Sequence, residues 1–147
     1  MTVGVGSVFG PGEGRRFWGG MSDATVKIDS GTADFSVFET SPPPGVPEPP
    51  AHVHNSYDEA WYVIEGTAEF LLGERRVRQE AGSFVFVPRG VSHTFGNPGP
   101  DEARILIIGS SPVQQMVEEF GRLAAEGNRP IQDILAELFQ RFDSKLS

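Results

Sequence analysis

His52, His54, Glu59 and His93 are residue types that hold metal ions, and their spacing allows one shared site. The chain has three histidines, and all three fall in this set. Imidazole is the commonest protein metal ligand, and a carboxylate is its usual companion at an open site. Side chains alternate along an extended strand, so His52 and His54 point the same way, with backbone positions about 6–7 Å apart. Pro49 and Pro50 stiffen the approach and reduce the entropy lost in holding the two rings. Glu59 opens an apolar run after the turn-like Asn55-Ser56-Tyr57-Asp58 and could bring a carboxylate to the same ion. Its neighbour Asp58 leaves open which of the two acids turns inward. His93 follows a separate run, Gly82 to Gly90, so a shared ion would staple two distant parts of the chain.

Three neutral imidazoles and one carboxylate suit one divalent transition metal per chain (Fe, Mn, Ni, Cu, Co or Zn) and do not suit Ca²⁺. Such a set would leave one or two coordination positions for a substrate or O₂. Other chemistries are less well served. There is no cysteine, so disulfides, thiolate metal sites and cysteine nucleophiles are excluded. With every histidine allotted to metal, none is free to serve as the base of a Ser-His-Asp arrangement. Glu59 could act as a catalytic base only by leaving the ion. No glycine-rich phosphate loop precedes a helix.

Positioning these residues requires strands. Ala24–Asp29 and Asp34–Thr40 alternate and read as strands separated by Ser30-Gly31. The stretch from Ser41 to Pro50 is a stiff, proline-rich loop, and neither side of it is long enough to fold alone. Further strands are expected over 59–64, 67–72, 75–79, 83–87, 92–95 and 104–108, with hairpin turns at Glu65-Gly66 and Gly73-Glu74. Ile105 to Ile108 is apolar on both faces and should be covered on both sides. The first twenty residues are glycine-rich, from Gly4 to Gly20, and read as irregular or as one edge strand.

The last third changes period. Val113, Met116, Val117, Phe120, Leu123 and Ala124 fall on one helical stripe. Ile131, Ile134, Leu135, Leu138, Phe139 and Phe142 form a second, with Pro130 in its first turn. These stripes read as core, on the outside of the β-domain or across a dimer, and not as a cofactor box. One domain over 1–147 is expected, with a barrel over about 20–110 and a helical extension over about 112–144. Short strands at intervals of roughly eight to twelve residues indicate an all-β barrel or sandwich.

Phe35, Phe38, Trp61, Phe70, Phe84, Phe86 and Phe95 fall on the strands, most of them as barrel core. Strand parity puts Trp61 with Glu59 and Phe95 with His93, so these two are the expected substrate-pocket walls. Arg75, Arg76 and Arg78 read as a solvated hairpin face. The net charge of −8 argues against nucleic acid and anionic membrane surfaces as partners. No stretch approaches the about 20 apolar residues of a membrane span. Met1 to Gly20 lacks a basic start followed by an apolar run, so no signal peptide and a cytoplasmic location are expected.

Two segments carry a resemblance. The first is His52-x-His54-x4-Glu59-x6-Gly66, and the second is Gly82-x5-Pro88-x-Gly90-x2-His93-x3-Asn97. Together they resemble the two motifs of the cupin superfamily. The one departure is Gly45, which lies one residue further from His52 than the usual opening glycine. The resemblance implies a double-stranded β-helix (jelly-roll) barrel, here with two C-terminal α-helices. It implies that His52, His54, Glu59 and His93 hold one metal, and it allows Glu59 to leave the ion and act as a base without making that the default. It also points to small bacterial cupins related to quercetin dioxygenases and polyketide-tailoring proteins. The function so implied is a metal-dependent, dioxygenase-like oxidoreductase acting on a small aromatic or enolic molecule. A redox-neutral Lewis-acid cyclase or isomerase, and a non-catalytic small-molecule binder, are the alternatives. Cupins often dimerise, and the terminal helices supply apolar surface that must be covered, so a homodimer is expected.

Overall fold

The computed structural model describes residues 6–147. Gly4 and the start of the stretch tested for a signal peptide lie outside them. The strands are β1 (Arg15–Trp18), β2 (Asp23–Ile28), β3 (Phe35–Thr40), β4 (His52–His54), β5 (Glu59–Glu65), β6 (Thr67–Leu72), β7 (Arg75–Glu80), β8 (Phe84–Val87), β9 (His93–Gly96) and β10 (Arg104–Ser110). Helices α1 (Pro112–Glu126) and α2 (Ile131–Arg141) follow, and β11 (Ser144–Leu146) closes the chain.

Two antiparallel sheets form the jelly-roll. One has the order β1-β2-β3-β10-β5-β8 and the other β11-β4-β9-β6-β7. Alternation dictates which faces meet. On β5, Glu59, Trp61 and Val63 are buried while Tyr62 faces outward. The inner faces bring Phe38, Trp61, Val63, Phe70, Val87 and Ile105 into one core. Gly66 makes the β5–β6 turn at φ +75°, and a Cβ there would lie 2.2 Å from the Glu102 carbonyl oxygen.

The proline-rich loop belongs to this domain. The Asn97 side-chain amide donates to the Pro42 carbonyl at 3.0 Å, and Gly45 N–H donates to the Asn97 carbonyl at 3.1 Å. Thr94 Oγ1 donates to the Pro49 carbonyl at 2.7 Å, which fixes the entry to β4 beside β9.

Three expectations are corrected. Ile105 and Ile107 are buried, but Leu106 and Ile108 are only half-buried, because among the described residues no further layer covers that face. Phe35, Phe84 and Phe86 are not core: parity turns them to the outer face, where they are 46%, 61% and 54% exposed. Pro130 precedes α2 in an extended conformation and does not sit in its first turn.

The helices form a second core. Met116, Leu123, Ile134, Leu138, Phe139 and Phe142 pack together, and Tyr57 touches both cores. Burying a side chain such as Ile134 or Leu138 contributes about 1.5–3 kcal/mol. Gly121 lets α1 lie against β1, since a Cβ there would fall 1.6 Å from the Trp18 carbonyl oxygen. Helix α1 therefore packs on the β-domain, against β1, β3 and β10, as expected. Strand β11 was not foreseen: residues 144–146 pair with β4, the strand of His52 and His54. No helix among the described residues is long and apolar enough to cross a membrane.

Candidate metal centre

Antiparallel pairing of β4 with β9 sets His52 directly opposite His93. His54, two residues along β4, shares their side. The ring centroids lie 4.5 Å apart for His52 and His93, 4.8 Å for His52 and His54, and 4.9 Å for His54 and His93. One ligand nitrogen from each ring lies within 4.8 Å of the others, so the three histidines could hold a metal ion.

Glu59 reaches this cluster from the other sheet. Its Oε2 lies 3.2 Å from His54 Nε2 and 2.9 Å from His93 Nε2. Glu59, and not Asp58, turns inward. Asp58 stays at the surface, where its carboxylate accepts from the Arg89 backbone N–H at 2.9 Å and pairs with the Arg89 guanidinium at 3.0 Å.

The outer nitrogens of the imidazoles are all engaged. His52 Nδ1 meets the Pro50 carbonyl at 2.9 Å, and His93 Nδ1 meets the Val91 carbonyl at 2.8 Å. A carbonyl can only accept, so both Nδ1 atoms carry hydrogen, and in the neutral rings both Nε2 atoms present a lone pair. His54 Nδ1 meets Ser144 Oγ at 2.6 Å.

The inner atoms are not so engaged. His54 Nε2, His93 Nε2 and Glu59 Oε2 are buried without a hydrogen-bond partner. Their short separations are from one another, with Glu59 Oε2 facing both Nε2 atoms. Two ligand atoms each about 2.1 Å from one ion, at about 90–110° to each other, lie about 3.0–3.4 Å apart. The distances of 2.9 and 3.2 Å fall close to that edge length. The residues present therefore fit an ion, and buried polar atoms otherwise left unpaired are explained by it.

Electrostatics of the metal-free chain agree. Burial, helped by the charge of His93, pushes the His52 imidazole down to about 4, so it is neutral and ready as a ligand. Burial alone would raise the Glu59 carboxyl, but the neighbouring imidazoles of His54 and His93 outweigh it and hold the group well below the usual carboxylate range. For His93, burial lowers the value, and the Glu59 carboxylate reverses this and leaves it raised.

Above the histidines is a cavity of about 310 Å³. Trp61 and Phe95 line it, as strand parity requires, and Phe38 joins them from β3. Trp61 lies 5.7 Å from the His93 ring and 5.2 Å from the Phe95 ring. The opposite wall comes from the helices, including Met116, Phe120, Leu138 and Phe139. The helical stripes thus serve as core and as cavity wall together, which corrects the expectation of core alone. Phe139 stacks on His52, with centroids 5.3 Å apart and planes 25° from parallel. Among the described residues no Lys or Arg lines the cavity. Arg76 and Arg78 are exposed and pair with Glu69, and Arg76 also pairs at 2.6 Å with Glu48, which lines the cavity.

Sequence reasoning missed Phe139 and Ser144 as neighbours of the site. The stripe of α2 said that Phe139 was buried but not against what. Ser144 carries no local signal at all.

A sequence profile of the cupin domain matches residues 38–109. The acetate kinase EutQ of Clostridioides difficile is 36% identical over 53 residues, 36% of this chain and 32% of that protein. The chain spans 32% and 54% of the lengths of the curated relatives it matches. Among solved structures, KdgF from a Halomonas species superposes with a TM-score of 0.65 at 20% identity, covering 76% of this chain and 99% of that one. The polyketide cyclase RemF from Streptomyces resistomycificus gives a TM-score of 0.61 at 22% identity, covering 73% and 80%. At these identities the structural likeness is one of fold.

Proposed function

The chain carries a cupin domain, and on that premise we propose that it is a metal-dependent enzyme acting on a small aromatic or enolic compound, with a dioxygenase-like oxidation as the leading reaction. The observation that carries this reading is the placement of the histidine cluster and Glu59 at the floor of an apolar cavity with no Lys or Arg in its wall. His52, His54, Glu59 and His93 would hold one divalent transition metal. When bound, such an ion supplies Lewis acidity, and one-electron chemistry if it is iron, copper, manganese or nickel.

The chain's own residues limit what can bind. Trp61, Phe95 and Phe139 offer flat apolar surface that suits a ring or a conjugated enol. Helices α1 and α2 supply part of the apolar wall through Met116, Phe120, Leu138 and Phe139. Glu48 in the cavity wall is paired with Arg76 at 2.6 Å, so a phosphorylated or otherwise anionic substrate would find no Lys or Arg in the wall and only the ion to offset its charge. Glu59 is held ionised, and should it leave the ion it could take a proton from a bound substrate. That same feature favours the second reading, a redox-neutral cyclisation or isomerisation, which needs a proton acceptor and no oxidant. A binder without catalysis is the third.

The test is metal analysis of protein purified without added metal, joined to O₂ uptake with flavonol-like and catechol-like compounds. Iron, copper, nickel or manganese near one per chain, with substrate-dependent O₂ loss, supports the oxygenase. Stoichiometric zinc with product formed and no O₂ consumed supports the cyclase or isomerase. Bound metal without turnover leaves the binder. No tightly bound metal at neutral pH overturns the reading.

We further propose a homodimer, a cytoplasmic location and no nucleic-acid partner. The dimer is supported by the outer face of the six-stranded sheet. There Phe84 stands opposite Tyr62 in the β5–β8 pair, Phe86 lies two residues along the same edge strand, and all three are exposed. Such a row of apolar groups at a sheet edge favours contact with another chain. The charge of −8 supports the exclusion of nucleic acid.

A further inference from the structure

We infer that Ser144 is a positioning residue of the metal centre, acting through His54 to hold the imidazole in the tautomer that can bind an ion. The inference rests on the metal-centre reading above.

Ser144 Oγ donates to the Phe142 carbonyl at 2.8 Å. A serine hydroxyl has one proton, and this bond uses it. With its proton on the Phe142 carbonyl, Ser144 Oγ accepts from His54, 2.6 Å away. His54 Nδ1 must carry the hydrogen, and the lone pair falls on Nε2, which faces Glu59 and His93. In the opposite tautomer the Ser144 hydroxyl would have to turn its proton from the Phe142 carbonyl to Nδ1, leaving that carbonyl without this donor, and a hydrogen would occupy the metal side. His52 and His93 obtain the same result from carbonyls two residues away in their own segments. His54 depends on a side chain 90 residues distant.

The backbone places that hydroxyl independently of the hydroxyl itself. Ser144 pairs with His54 and Leu146 with His52 in the β11–β4 ladder. Just before the strand, the Asp143 carboxylate accepts from Asn55 Nδ2 at 3.1 Å and Ser56 Oγ at 2.9 Å, and its carbonyl accepts from Asn55 N–H at 2.9 Å. Beyond it, Ser147 N–H donates to the Ala51 carbonyl at 3.2 Å. Replacing the hydroxyl should leave these contacts in place and remove only the acceptor. Partners of ligating imidazoles of this kind typically govern metal affinity by about 10–100-fold.

The test compares wild type with Ser144→Ala, Ser144→Thr and Ser144→Val, using zinc as the probe. Zinc affinity is measured by chelator competition, metal-free stability by thermal melting, and ring protonation of the zinc-loaded protein by long-range nitrogen-15 spectra. With three histidines in the chain the ring signals can be assigned by substitution. Ser144→Ala is expected to bind zinc about 10–100-fold more weakly. Its protected Nδ1–H signal should be lost at His54 alone, with those of His52 and His93 unchanged. Ser144→Thr should restore affinity and signal, whereas Ser144→Val, of the same shape without the hydroxyl, should not. That pair decides the matter even if Ser144→Ala melts earlier. Wild-type affinity and an intact His54 signal in Ser144→Ala or Ser144→Val would overturn the role of Ser144 while leaving the metal centre standing. Failure of the wild type to bind zinc or cobalt would overturn the metal centre itself, and this role with it.

Discussion

Phe139 of α2 lies flat against the His52 imidazole, with centroids 5.3 Å apart and planes 25° from parallel. A helix outside the matched cupin segment thus supports a residue of the metal cluster inside it. Phe139 is also buried in the helical core. Phe139→Ala should cost about 3–5 kcal/mol of stability in the metal-free protein. It should also enlarge the cavity beside His52 and weaken zinc binding. Chemical denaturation and chelator competition read the two effects separately. An unchanged zinc affinity would mean that the stacking does not hold the ring.

Removing a ligand should act more strongly than loosening one. His52→Ala and His93→Ala are expected to abolish stoichiometric metal uptake, as measured by metal analysis after dialysis. Glu59→Gln should retain metal with reduced affinity, because the amide keeps an oxygen but loses the charge. Full occupancy in both histidine variants would contradict the assignment.

Acid should oppose metal loading. In the metal-free chain the folded His93 value lies above its unfolded value near 6.5, so its contribution to stability is complete below that value and is lost as pH rises through the folded one. His52 has the opposite sign. Its folded value is about 4, so its contribution is present above 6.5 and is lost as pH falls towards 4. Glu59 also contributes above its unfolded value and loses that contribution in acid, below the usual carboxylate range. A ligating imidazole must be unprotonated at the ion, so binding should release a proton from His93 near and below its raised value. Calorimetry in buffers of different ionisation heat should detect that proton. An affinity flat between about pH 5 and 8 would remove His93 from the ligand set.

Trp61 offers a direct report on what enters the cavity. The chain has two tryptophans, and Trp18 is 45% exposed at the edge of the sheet. In Trp18→Phe the emission comes from Trp61 alone. Flavonol-like or catechol-like compounds should quench it with saturation, and phosphorylated sugars should not. Saturable quenching by the sugar phosphates alone would reverse the substrate class.

The proposed dimer can be broken at one residue. Phe86→Glu places a charge on the exposed apolar edge and should give a monomer by light scattering, with metal content unchanged. A wild-type protein that is monomeric at micromolar concentration would remove the proposal.

Much of this was legible because local rules govern it. The alternation of Glu59, Trp61 and Val63 and the turn residues around Gly66 fix β5 and its hairpin without reference to the rest of the chain. The spacing of His52, His54 and His93 was readable for the same reason. Which of Asp58 and Glu59 turns inward was not, because one residue of register decides it, and that register is set by pairing with β8 and β10. The outward turn of Phe84 and Phe86 escaped for a related reason: apolar type suggested core, and parity overruled it. Ser144 was invisible because a three-residue strand has no periodicity to detect. Its role depends on a partner from the other half of the chain.

That long reach has a kinetic side. Hairpins such as β6–β7 join near neighbours and can close early, whereas the β4–β11 pair must bring together His54 and Ser144 across 90 residues. The strand that presents two of the three imidazoles therefore has an outer neighbour whose pairing closes a long loop, at a larger entropic cost than a hairpin. Full ordering of the ligand strand, and with it the metal site, is thus tied to the last residues of the described chain.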